Sequence, residues 1–155
     1  MKVRRAIPED ALQIHALLCK MAQLHKEGCP EVFEGEAPKY GVDEVTELIL
    51  DEGTDIFTAC LGDRVAGYLI CRVQITPADG LKKYRKALYI DDLCVAEDCR
   101  KEGVGSLLFD AARKRAAELE CTVIDLNVWA FNKGAIRFYE KMGMKESRRH
   151  MELLV

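Results

Sequence analysis

Residues 91–106 hold the side chains and spacings best suited to chemistry. Leu93-Cys94-Val95 ends an apolar strand, Ala96-Glu97-Asp98-Cys99 forms a polar turn, and Arg100-Lys101-Glu102-Gly103-Val104-Gly105-Ser106 opens an amphipathic helix. Backbone N–H groups at a helix start have no intrahelical acceptor and carry partial positive charge. Glycines at alternate positions let an anion approach that backbone, and Arg100 and Lys101 add charge. The layout is a phosphate cradle; plain packing or turn glycines are the alternative. It lacks the Gly-Lys-Ser/Thr ending of a P-loop, and Leu108 stands where a dinucleotide fingerprint needs a third small residue. Just upstream, Asp91 and Asp92 interrupt the strand. Adjacent strand residues face opposite sides, so at most one faces a given cleft unless a bulge intervenes.

The elements that must position these residues follow from periodicity. Apolar residues at helical spacing (Ile14, Leu17, Leu18, Met21, Leu24) predict a helix from Pro8 to about residue 25, and a second is expected over about 43–52. Strands are expected at 2–6, 56–61, 64–74 and 87–95, the second and third joined by a Gly62-Asp63 turn. The stripe from Val104 to Leu119 predicts a third helix, followed by a strand over 123–128. Asn132 and Gly143 bracket a short fourth helix, and residues 144–154 close as a final strand. The β–α–α–β–β–β–α–β–α–β order gives an α/β (α+β mixed) fold with helices on both faces of a mixed sheet.

At 155 residues the chain fits one domain, 1–155, with enough length for a real core. Its net charge of −3 gives neither a nucleic-acid footprint nor a polybasic membrane anchor. No apolar run approaches the ~18 residues of a membrane span. The opening MKVRRAIPED turns acidic before an apolar leader segment forms, so no secretory signal is expected. The seven cysteines are odd in number, show no C-x-x-C pair and have no metal spacing with the three histidines. Most sit in apolar runs, as reduced structural thiols do, which points to the cytoplasm and to no metal.

Arg100-x-x-Gly103-x-Gly105 resembles the R/Q-x-x-G-x-G/A signature of the GNAT superfamily of acyl-CoA-dependent N-acyltransferases. Tyr89-Ile90-Asp91-Asp92-Leu93-Cys94-Val95 is similar to that family's fourth strand, which splays from the fifth to admit the cofactor. Leu126 to Asn132, then Ala135-Ile136-x-Phe138-Tyr139-Glu140-x-Met142-Gly143, resembles its fifth strand, Asn turn and C-terminal helix. The resemblance implies a mostly antiparallel mixed sheet and acetyl-CoA as co-substrate. The pyrophosphate would lie on Arg100, Lys101, Glu102, Gly103, Val104, Gly105 and Ser106, and the pantetheine arm along the backbone of Leu93, Cys94 and Val95. Asn132, with Ala135 and Phe138 in the helix after it, completes the cofactor side; helix capping is the other role open to Asn132. Tyr139 matches the family tyrosine that protonates the leaving thiolate. Asp91 is preferred over Asp92 as the base that deprotonates the amine, and a water chain is the alternative. Asn127 departs from the glutamate of some protein N-terminal acetyltransferases.

The resemblance implies direct attack on acetyl-CoA by a primary amine, a small molecule or a peptide, in a cytoplasmic homodimer; nucleic acid and membrane are not expected partners. The acceptor side of such a protein is partly the segment between the first two helices. Here residues 27–55 carry ten acids (Glu27, Glu31, Glu34, Glu36, Asp43, Glu44, Glu47, Asp51, Glu52, Asp55) against Lys39 alone. That field favours a cationic acceptor; a solvated surface is the other reading. A non-catalytic acyl-CoA sensor on the same fold is the rival function.

Overall fold

A computed structural model describes residues 1–34, 37–153 and 155. Strand β1 (Lys2–Arg5) leads through a 3-10 turn at Pro8–Asp10 into α1 (Ala11–Gly28) and α2 (Val42–Leu50). A meander follows: β2 (Thr54–Leu61), β3 (Arg64–Thr76) and β4 (Arg85–Val95). Then come α3 (Val104–Glu118), β5 (Val123–Asp125) and α4 (Lys133–Lys141). The strands lie side by side in chain order, antiparallel except for the parallel pair β4–β5. The expected mixed, mostly antiparallel sheet is therefore present.

Residues Val65 to Cys71 of β3 are all buried. A strand covered on both faces needs such a continuous apolar run. Gly67 shows what covers one face. A Cβ there would meet the Cys94 carbonyl oxygen at 2.8 Å, Leu108 at 3.2 Å and Val104 at 3.3 Å. So α3 lies on the Gly67 face. Tyr68 points the other way and pairs with Cys94, whose thiol lies 3.9 Å from the Leu17 carbonyl of α1. Helices thus cover both faces. Among the described residues, no helix is long and apolar enough to cross a membrane.

Two expected elements differ. Strand β5 stops at Asp125 rather than 128, because only Ala87, Leu88 and Tyr89 pair with it before the two chains diverge. Residues 144–153 form no strand, and Leu154 lies outside the described residues. The segment Lys145 to Met151 is charged and exposed, without the apolar alternation that would give a strand a buried face.

Because β3, β4 and the first turn of α3 all meet at Gly67, its replacement tests that packing. Gly67→Ala is expected to cost about 1–3 kcal/mol in urea unfolding. An unchanged midpoint would mean that α3 does not seat on β3 as described.

Candidate active site

Between β3 and β4, Ile70 pairs with Asp92 and Cys71 pairs with Ile90. Asp91 is the extra residue, and β4 bulges there. Alternation past the bulge is reset by one residue. Asp92 shares the face of Ile70, Tyr68 and Cys94, the face toward α1. The Asp91 carboxylate reaches Arg72, which also shares the parity of Ile70. Both aspartates therefore emerge on one face, where simple strand alternation would separate them.

Their surroundings then drive them apart chemically. Asp91 accepts hydrogen bonds from Lys39 Nζ (2.8 Å), Tyr40 Oη (2.8 Å) and Arg72 Nη2 (2.5 Å). Burial alone would raise its pKa; the hydrogen bonds from Lys39 and Tyr40, and the Arg72 contact, overcome that and hold it below the ordinary value. Asp92 lacks this cage. Burial pushes it up to about 6, the Asp91 charge adds to the rise, and Lys39 and the Tyr68 hydroxyl only partly oppose it. Tyr139 of α4 lies within the electrostatic reach of Asp92; burial first, then that carboxylate, raises its pKa. Its phenol stays protonated at neutral pH. The Tyr68 hydroxyl is buried and has no hydrogen-bond partner of ordinary geometry among the described residues. A polar neighbour is the Asp92 carboxylate, with which it interacts.

Beyond Tyr89, the outer edge of β4 has no β5 partner. Leu93, Cys94 and Val95 pair with Leu69, Tyr68 and Gly67 on their inner edge alone. A groove of about 300 Å³ runs beside this end of β4, where Lys20 and Arg100 stand with Glu27 and Glu97 around Leu17, Cys94 and Val95. Burial raises the Cys94 thiol to about 12, so it is no thiolate at neutral pH.

Residues Arg100 to Ser106 form the turn into α3 and its start. Lys101 and Gly103 both have positive φ (66° and 84°), a turn that glycine adopts freely and lysine rarely. Val104 is buried and starts α3, while Lys101, Glu102 and Gly103 are exposed. Arg100 is exposed and donates from Nε to the Val95 carbonyl at 3.4 Å. Gly105 has a packing role: a Cβ there would lie 3.1 Å from the Phe138 ring. Ser106 follows, half-buried, in the first turn. Asn132 caps α4, its Oδ1 accepting the Ala135 N–H at 3.0 Å. The rings of Phe138 and Tyr139 lie 5.2 Å apart and both pack near Phe109.

Sequence reasoning missed Lys39, Tyr40 and Arg72 as partners of Asp91. Each is distant along the chain; the one available signal was Arg72 directly following an apolar strand core. It also missed an aromatic cluster. His25 of α1 stacks on Phe33 at 5.1 Å, and Trp129 meets Phe33 edge-on at 5.1 Å. Phe131 completes it, 6.0 Å from His25. Burial, then the Lys39 charge, lowers the His25 pKa. The ten acids of 27–55 do not form one surface. Asp55 is buried and paired with Arg5 and Arg115, Asp51 accepts from Thr54, and Glu44 accepts the Gly41 N–H. Glu36 lies outside the described residues.

Comparison with known proteins places this geometry. The family model described as acetyltransferase (GNAT) family matches residues 19–144. The crystal structure of a mutant of the BH1408 protein from Bacillus halodurans superposes with a TM-score of 0.95 at 26% identity, covering 100% of this chain and 99% of that one. An aminoglycoside N-acetyltransferase solved with CoA has the same fold, with a TM-score of 0.74 at 12% identity over 99% of this chain and 98% of that one. N-alpha-acetyltransferase 30 of Xenopus laevis is 29% identical over 93 residues, 60% of this chain and 32% of its own length. L-ornithine N5-acetyltransferase of Arabidopsis thaliana is 37% identical over 59 residues, 38% of this chain and 26% of its own length. The chain thus spans a third or less of these two curated relatives.

The Asp91 cage makes a stability prediction. Its folded pKa is depressed, so its contribution is present above the unfolded value near 4 and is lost as pH falls through the folded value. Asp91→Asn should cost about 1–3 kcal/mol in urea unfolding at pH 7 and much less near pH 2. An equal loss at both pH values would contradict the ionic reading.

Proposed function

We propose that this chain, which belongs to the GNAT acetyltransferase family, transfers the acetyl group of acetyl-CoA to a primary amine by direct attack in a ternary complex. The observation that carries this reading is the pairing of Asp92 and Tyr139 beside the unpaired edge of β4. One is a carboxylate tuned to about 6 and the other a phenol that stays protonated. A base poised near neutrality and a protonated acid beside it suit acyl transfer.

Asp92, rather than Asp91, takes the ammonium proton, directly or through a water. The amine nitrogen then forms a bond to the acetyl carbon as the carbon–sulfur bond breaks, Tyr139 gives its proton to the departing sulfur, and the second amine proton, released as the amide forms, restores the phenol. Asp91 is poorly suited as the base, since three donors already occupy its carboxylate. Backbone groups on the free edge of Leu93 to Val95 suit the pantetheine amides and the thioester oxygen. The loop Arg100 to Ser106 suits the pyrophosphate, with Lys20 and Arg100 as cations in the groove. Asn132 acts here by capping α4, which sets the height of Tyr139. The raised pKa of Cys94 favours direct attack over an acyl-enzyme.

Exposed acids of the α1–α2 segment, such as Glu27, Glu34 and Glu47, favour the approach of a protonated amine. The seven free thiols fit a reducing cytoplasm, and the family resemblance extends to a homodimer.

Asp92→Asn should lower kcat by roughly 10²-fold or more and remove the rise in rate through pH 6, with acetyl-CoA affinity retained. The same variant should be more stable at pH 7 by about 1–3 kcal/mol. The sign follows because the raised folded pKa makes wild-type stability fall as pH rises from about 4 through 6. Tyr139→Phe should likewise lose turnover and keep acetyl-CoA. Acetyl-CoA binding by a wild type that acetylates no amine would instead favour a sensor.

A further inference from the structure

Two cations converge on one carboxylate at the bulge. Asp91 is one carboxylate, only 5% exposed, yet two cations share it. Lys39 bonds Oδ2 and Arg72 bonds Oδ1, so they flank it from opposite sides. Their own side chains remain 47% and 41% exposed. Lys39 spends two donors on Asp91, one on its carboxylate and one on its carbonyl, which leaves a third. Arg72 bonds the carboxylate through Nη2, its guanidinium also meets the Tyr40 hydroxyl, and Asp51 lies within its electrostatic reach. With Asp91 the two cations sum to one positive charge once Asp92 holds a proton, and they keep donors to spare.

Its position matters as much as its charge. Arg72 lies two residues beyond Ile70 on β3, and Ile70 is the partner of Asp92. Two residues along a strand span about 7 Å. The cation pair therefore sits one side-chain step from the proposed base, on the same face of the sheet. Lys39 also lies within the electrostatic reach of Asp92. A purely cationic acceptor would bring its remaining positive charges against Lys39 and Arg72, and like charges at such range cost affinity.

We propose that Lys39 and Arg72 form a carboxylate-binding subsite, so that the acceptor is a small amine that also carries a carboxylate. The inference rests on the acetyltransferase reading and deepens it. With its carboxylate on Arg72 and Lys39, an amino acid presents its amine toward Asp92 and the free edge of β4. Asp91 is then a positioning residue. It holds the two cations at a fixed separation and ties Lys39 and Tyr40, from the segment before α2, to the strand.

Matched acceptors test this: amino acids against the same compounds with the carboxylate converted to a carboxamide, and against diamines of equal length. Acetyl products are read by mass spectrometry. Binding to the CoA-loaded protein is read by calorimetry, which decides the point even without turnover. The carboxylate should improve kcat/KM and Kd by roughly tenfold to a hundredfold, the weight of charge-assisted hydrogen bonds. Arg72→Gln and Lys39→Gln should shrink that ratio through KM, and Arg72→Lys should keep part of it. Retained acetyl-CoA binding shows that each variant is folded. Equal or better binding and turnover of carboxamides or diamines would overturn the subsite and leave the acetyltransferase reading intact. Carboxylate-selective binding with no acetylation of any acceptor would support the subsite and overturn the acetyltransferase reading.

Discussion

At Asp91, strand β4 carries one residue more than β3 can pair, and two neighbouring carboxylates come out on the same side of the sheet. Much of the site depends on that extra residue. Without it, Asp91 or Asp92 would point toward α3 and into packed hydrocarbon. With it, both face α1 and the α1–α2 segment, close enough for one charge to raise the pKa of the other. The neighbourhood then resolves the conflict by placing the direct hydrogen bonds of Lys39 and Arg72 on Asp91. Asp91 is held ionised at neutral pH by its three donors. Asp92 is left without such partners and tuned toward neutrality, so one strand presents two carboxylates of different character.

A second constraint is the brief pairing of β4 with β5, which ends at Tyr89 and Asp125. Past that point the sheet opens, and the backbone of Leu93 to Val95 keeps one edge free. The far side of the opening is held by packing: Phe138 lies against Gly105, and the rings of Phe109 and Tyr139 lie beside it. The Asn132 cap fixes where α4 starts. Tyr139 is thus placed by ordinary hydrophobic contacts and by the cap that starts its helix. The aromatic cluster of His25, Phe33, Trp129 and Phe131 joins the end of α1 to the β5–α4 loop across the same side of the molecule.

What the sequence made legible was local. Apolar spacing placed all four helices to within a few residues, and the Asn132 and Gly143 boundaries of α4 follow from side-chain capping and a left-handed glycine. The turn into α3 was legible in Gly103, whose φ of 84° suits glycine. The bulge was not legible, because it depends on the register against β3, which no residue of β4 determines alone. The different surroundings of Asp91 and Asp92 were not legible either, since the cage of Lys39, Tyr40 and Arg72 is assembled from distant segments. The expected final strand rested on its place in the element order. Its charged composition gave the opposite signal, and composition prevailed. The acidity of 27–55 was read as one field, but folding disperses it, with Asp55 buried against Arg5 and Arg115.

The most direct measurement is the titration of the two carboxyl carbons by ¹³C NMR in protein labelled at aspartate, with Asp91→Asn and Asp92→Asn used for assignment. The structure predicts a midpoint of about 6 for Asp92 and one below the ordinary 3.8 for Asp91. Two midpoints near 4, or the opposite order, would contradict the division of labour that the bulge imposes.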